Sequence, residues 1–267
     1  MKRIPNKVHQ SKKGSHDLGG VRNICSEYIF GGLRTKCADP QRLTAALQFV
    51  LQCYLGEAQM QVATTESITV RVQELDAEWK VEPTRAYATA AWVGAFHYAL
   101  ISRAKNALRL IGELHYYDKF VHDGADSMLD QALYQFMVGL IQGDEDEARL
   151  RLGQAEGYLA DFPQTWGPIL RIHFPLWRSI LEKNQAAFDV QLEASLRKHK
   201  SYWGKPTATE PNWMNFSDGH YNLPLTAIMA FAYDRGLQVN LSSDYSPIEL
   251  VRGDFKADWD SEPVFLF

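Results

Sequence analysis

The residues most able to do chemistry cluster mid-chain: His97, His115 and the His122-Asp123 dipeptide, with Asp118 and Asp126 nearby. A histidine, a His-Asp pair and a later aspartate are the ligand types with which a metal-dependent (HD-like) hydrolase holds a divalent ion and activates water. The same residues have a plainer reading. His122-Asp123-Gly124 is also turn chemistry ahead of a helix, where Asp and Gly are favoured on backbone grounds. No G-x-S-x-G, H-E-x-x-H, Walker loop or G-x-G-x-x-G occurs in the chain, so serine-nucleophile, zincin, nucleotide and dinucleotide chemistry have no motif support. Cys25, Cys37 and Cys53 are odd in number and lack C-x-x-C spacing, which suits reduced thiols better than a disulfide framework or a zinc cluster. The expectation is a protein with no metal and no cofactor.

A second group of residues suits contact more than catalysis. Trp203, Trp213, Phe216 and Tyr221 stand with Glu210, Asp218 and His220 in one polar, glycine-containing stretch, and Asp144-Glu145-Asp146-Glu147 follow Gly143. Aromatic and acidic side chains together fit a surface directed at a basic protein. The tryptophans could equally fold back over the last long helix, and four carboxylates at a helix start complement its dipole without any partner. Charge favours a basic partner over nucleic acid. Residues 1–36 hold eight Lys/Arg against Asp17 and Glu27, so the rest, with 20 Lys/Arg and 30 Asp/Glu, carries the acidity of a chain whose net charge is −4. Such a body repels phosphate backbones and steers cationic proteins toward it.

The elements that must position these groups read as helices. Asp39 and Pro40 form an N-cap and first helical residue ahead of Leu43, Ala46, Leu47, Val50, Leu51 and Tyr54 at helical spacing. Ile68, Val70 and Val72 alternate as a short strand would. Pro83-Thr84 opens a helix striped with Tyr87, Ala90, Ala91, Gly94, Tyr98 and Ile101, whose small residues invite close approach by a neighbour. Helices are then expected from Lys105 to about Lys119, and from an Asp126 or Ser127 cap through Leu129, Leu133, Phe136 and Leu140. The next opens at Asp144 and buries Ala148, Leu152, Ala155 and Leu159. Another, about Thr165 to Lys183, should kink or break at Pro175, which cannot donate to Arg171. Asn184 caps a helix presenting Phe188, Leu192, Ser195, Leu196 and His199. Leu225 to Tyr233 is apolar nearly all round and should be the most buried helix of its half. Ser246-Pro247-Ile248-Glu249 has capping-box spacing.

The fold class that follows is all-α: a bundle of antiparallel helical hairpins, tetratricopeptide-like in places, with at most one short strand or hairpin. Residues 140–144 and 180–184 match at an offset of 40, each a tight polar turn between amphipathic helices. Residues 1–22 read as a mobile basic tail, 23–252 as a single helical domain, and 253–267 as an acidic tail whose last four apolar residues dock on the body. No apolar run reaches the roughly 18 residues that span a bilayer, and no signal-peptide pattern starts the chain, so cytoplasmic residence with no membrane partner is expected.

One resemblance adds to this reading. Leu196-x-x-His199, then Leu223-Pro224-Leu225-Thr226-Ala227-Ile228-Met229-Ala230-Phe231-Ala232-Tyr233-Asp234-Arg235-Gly236, then Tyr245-Ser246-Pro247-Ile248-Glu249-Leu250, resemble the C-terminal part of the bacterial immunity protein 49 family. The resemblance implies an antidote that binds the effector domain of a cognate toxin and neutralises it by stoichiometric occlusion, without catalysis. A helical-repeat adaptor for another partner is the competing non-enzymatic reading. On the toxin reading Asp144, Glu145, Trp213, Phe216, Asp218 and His220 are the contact candidates, and His199, Ser246 and Glu249 are structural. His199 lies on the apolar stripe of its helix, where a histidine hydrogen-bonded to a neighbour is the commoner arrangement. From there it could anchor the aromatic stretch.

Overall fold

A computed structural model describes residues 16–37, 39–72, 75–81, 85–114, 125–160, 167–203, 221–241 and 243–255. The described residues form two compact units, one drawn from Met1–Lys119 with Phe255–Phe267 and the other from Phe120–Asp254. Among the described residues the regular structure is helical apart from one antiparallel hairpin, so the all-α expectation holds.

In the first unit, α1 (His16–Thr35) packs on α2 (Pro40–Val62), which packs on α3 (Arg85–Ser102), and α4 (Lys105–Glu113) returns along α3. Asp39 caps α2 by accepting from the Arg42 amide at 3.0 Å, with Pro40 at the first position. Helix α1 begins at His16, inside the polar start that composition reads as a tail; Cys25, Ile29, Phe30 and Leu33 supply the apolar stripe that holds it down. The strand expected at Ile68 is β1 (Ser67–Val72), paired with β2 (Leu75–Lys80) so that Val70 faces Ala77 and Ile68 faces Trp79. Val70 and Trp79 are buried and lie against Gly56 of α2, where an added Cβ would come within 3 Å of both side chains.

The small residues of α3 do what close packing requires. Gly94 sits under the ring of Tyr54, which is stacked on Tyr98 with centroids 5.5 Å apart and covered by the Arg22 guanidinium 4.0 Å from its centre. Arg22 in turn pairs with Glu57, and the Tyr98 and Ser26 hydroxyls lie 2.6 Å apart. Cys25 and Cys53 are buried free thiols and Cys37 is exposed. Burial pushes the Cys25 thiol up to about 11 and raises Cys53 as well, which keeps both protonated and unreactive.

The second unit contains α5 (Ala125–Gln142), α6 (Glu145–Ala160), α7 (Gly167–Leu181), α8 (Gln185–Trp203), α9 (Leu223–Asp234) and α10 (Ile248–Arg252). The stripe of α6 is buried as its spacing predicts: Ala148, Leu152, Ala155 and Leu159. Two expectations need correction. Helix α5 starts at Ala125, so Asp126 and Ser127 lie in its first turn and do not cap it. Of the kink or break expected at Pro175, the break does not occur: Pro175 sits inside an α7 that runs on to Leu181. Phe174, Leu176 and Trp177 around it are buried, and that packing outweighs the roughly 3 kcal/mol an interior proline costs. The expected docking of Val264–Phe267 lies outside the described residues.

The offset-40 similarity is a repeated piece of backbone chemistry. After α5 the Gly143 amide donates to Leu140 O, Asp144 N to Gly139 O, and Ala148 N to Asp144 O; after α7, Lys183 N, Asn184 N and Phe188 N donate to Ile180 O, Ser179 O and Asn184 O. Each is a Schellman ending followed at once by a cap: Asp144 Oδ1 accepts from Glu147 N and Asn184 Oδ1 from Ala187 N, both at 3.0 Å. The C′ residue is left-handed in both, at φ +74° for Gly143 and +52° for Lys183. Helix α9 ends the same way at Gly236 and Leu237, and α3 at Arg103 and Ala104, which gives the hairpin reading a physical basis.

Candidate functional site

The start of α6 carries the two acidic contact candidates, and both have work inside the fold. Asp144 is the cap. Glu145 accepts from Arg235 Nη1 at 2.6 Å through one oxygen and from Arg149 Nη2 at 2.9 Å through the other. The hydrogen bond from Arg235 first, with Lys183 and Arg149 beside it, holds this carboxyl below the usual carboxylate range. Arg149 reaches further, to Asp146 Oδ1 at 2.8 Å and to the Leu181 carbonyl at 2.8 Å, where it satisfies an open acceptor at the end of α7. Arg235 lies 4.9 Å over Phe231, whose ring meets Trp177 edge-on at 5.4 Å, and Trp177 meets Phe136 likewise at 5.4 Å. One chain of contacts therefore joins α5, α7, α9 and α6. Asp146 keeps its pairing with Arg149 while its side chain is 97% exposed, and one turn further along α6 Leu150 is exposed too.

The other polar centre is buried. His199 Nδ1 and Asn222 Nδ2 are 3.0 Å apart, and the ring of Tyr245 stands edge-on to the imidazole with centroids separated by 4.7 Å. Asn222 caps α9 by accepting from Leu225 N at 2.9 Å, donates its own amide to Tyr245 O at 2.8 Å, and accepts from the Thr226 hydroxyl at 2.7 Å. His173 of α7 joins His199 here as a second buried imidazole. Burial pushes each down to about 4, and in His173 the neighbouring His199 adds to the effect, so both are neutral at pH 7.

The remaining sequence candidates divide. Trp213, Phe216, Asp218 and His220 lie outside the described residues, as do His115, Asp118, His122 and Asp123 of the metal reading. His97 is buried in α3 beside Phe96. Among the described residues no three His, Cys, Asp or Glu side chains gather as metal ligands do. The capping-box reading of Ser246 and Glu249 is corrected: Pro247 occupies the cap of α10 with no side-chain bond. Ser246 is fully buried and its amide donates instead to Ser243 O at 3.0 Å, because the 243–246 bridge turns its side chain inward. Sequence reasoning missed His173, although its spacing to Trp177 and Ile180 put it on the buried stripe. It also missed Arg235 as the partner of Glu145, for which no local signal exists across 90 residues. The Glu145 to Arg149 pair was readable as an i,i+4 match.

Comparison with known proteins identifies one family. The family model described as immunity protein 49 matches residues 39–250, a range that includes the motifs at 196–250 that carry the resemblance in sequence and begins far upstream of them. No curated protein and no solved structure matches the chain. No helix among the described residues is long and apolar enough to cross a membrane.

Proposed function

Because the chain belongs to the immunity protein 49 family, we propose that it protects its producer by binding one cognate toxin and blocking it through occupancy, one molecule per toxin, in the cytoplasm and without turnover. The observation that carries this is the extent of the match, which takes in nearly every element from the Asp39 cap of α2 to α10.

The physical character of the chain agrees with a gripping role. In the second unit Asn222 both caps α9 and pairs with His199, and Arg149 and Arg235 tie helix ends together. Beyond the basic first 36 residues the chain is acidic, which suits a basic effector and speeds encounter by steering. The contact surface on this reading comprises the start of α6 (Asp144, Glu145 and the exposed Asp146) and the stretch bearing Trp213, Phe216, Asp218 and His220. Silencing an enzyme inside a cell takes roughly 1,200–2,000 Å² of buried surface and nanomolar affinity or better.

The test is to search the neighbouring genes for a toxin-like open reading frame and coexpress its product with this protein. A 1:1 complex that copurifies, and survival of cells that otherwise die, are expected. Survival without a complex, or protection by substoichiometric amounts, would mean that the protein acts by some other route.

A further inference from the structure

His199 and Asn222 are held in an arrangement that allows one protonation state. Asn222 Oδ1 receives the Leu225 amide, which fixes the orientation of the carboxamide and leaves Nδ2 to face the imidazole. Nδ2 can only donate, so Nδ1 of His199 must accept, and the ring proton sits on Nε2. An imidazolium carries N–H on both nitrogens and would set a donor against a donor across the 3.0 Å contact. Turning the carboxamide over would offer Oδ1 to the charged ring, but would take the cap acceptor away from Leu225. A protonated His199 and a capped α9 exclude each other.

We propose that this pair is a pH-operated latch: closed while His199 is neutral, it ties the end of α8 to the start of α9 and so brackets residues 204–220, and protonation opens it. The latch has three further ties that would loosen with it, the Asn222 amide on Tyr245 O, the Thr226 hydroxyl on Asn222 O, and the Tyr245 ring against the imidazole. Among the described residues the titratable groups that face His199 are His173 from α7 and the Tyr245 phenol from the segment before α10. On α8 itself Lys198 and Lys200 flank it in sequence and are exposed. Burial opposes protonation of the His199 ring. The latch therefore opens below the ordinary histidine range, toward pH 4.

The test uses the full chain without any partner, so it is independent of the toxin reading. Long-range proton–nitrogen correlation spectra should show His199 as the Nε2–H tautomer at pH 7. Hydrogen-exchange protection of the Leu225 amide should fall tenfold or more from pH 6.5 to pH 4 relative to the Ala187 amide, which Asn184 caps with no histidine attached. In His199→Gln, whose side-chain oxygen can accept from Asn222 at every pH, the two amides should keep a constant ratio. An Nδ1–H tautomer at pH 7, or Leu225 and Ala187 protection that moves in parallel in the unmodified protein, overturns the latch even if the variant fails to fold.

Discussion

Glycine-to-alanine substitution should have opposite signs at different helical positions of this chain, and Gly94 is the informative one. An alanine Cβ there would stand 2.3, 2.5 and 2.7 Å from Cε1, Cδ1 and Cζ of Tyr54, distances no packed pair tolerates. The ring cannot step aside cheaply, because Arg22 covers one part of it and Tyr98 stacks against it. Overpacking of this kind costs about 1–3 kcal/mol. Displacing the ring instead gives up a cation–π contact of about 0.5–2 kcal/mol and a stacking term of about 0.5–1.5 kcal/mol. Alanine returns about 1 kcal/mol of helix propensity. The balance is a loss of about 1 kcal/mol, a fall of roughly 2–4 °C in the melting temperature at 2–4 °C per kcal/mol. Gly153 and Gly157 of α6 have nothing within 4 Å of an added Cβ, so the same change there should raise stability by up to about 1 kcal/mol each. The assay is thermal and urea unfolding of the three variants, with Gly94→Ala repeated in a Tyr54→Leu background, where its cost should largely vanish. A Gly94→Ala protein as stable as the parent, or a cost that survives removal of the ring, would refute the packing argument.

The two buried imidazoles make stability fall with acid. Their folded-state values of about 4 lie below the unfolded 6.5, so the unfolded chain binds more protons between these limits; the stabilisation is complete above pH 6.5 and is lost as pH falls toward 4, by up to about 3 kcal/mol for each histidine. Replacing His173 with leucine should remove about half of that slope in a series of melts from pH 7 to pH 4. Asp144→Ala and Asn184→Ala occupy equivalent caps and should each cost about 1 kcal/mol, nearly additively, by urea unfolding. For Glu145 and Arg235, partly exposed and 2.6 Å apart, a double-mutant cycle with alanine should return a coupling of about 0.5–1 kcal/mol that shrinks in high salt.

Much of the fold was legible because it is written in local chemistry. The Asp39, Asp144 and Asn184 caps, the glycine at 143, and stripes such as Ala148, Leu152, Ala155 and Leu159 are decided within one or two helical turns, where side-chain type and spacing suffice. Local rules overreached where a tertiary contact outweighed them: Pro175 stays inside α7 because its neighbours are buried, and Ser246 gives up a cap to the turn at 243–246.

What the sequence alone determined is the helical hairpin plan, the acidity of the chain beyond its first 36 residues, and, through the motifs at 196–250, the family. Only the tertiary structure decided what the polar residues do. Glu145 meets an arginine 90 residues away, and His199 meets an asparagine 23 residues away, because packing brings distant helix ends together. Spacing along a chain encodes which face a residue shares. It carries no record of which other face will lie opposite once the apolar stripes are buried.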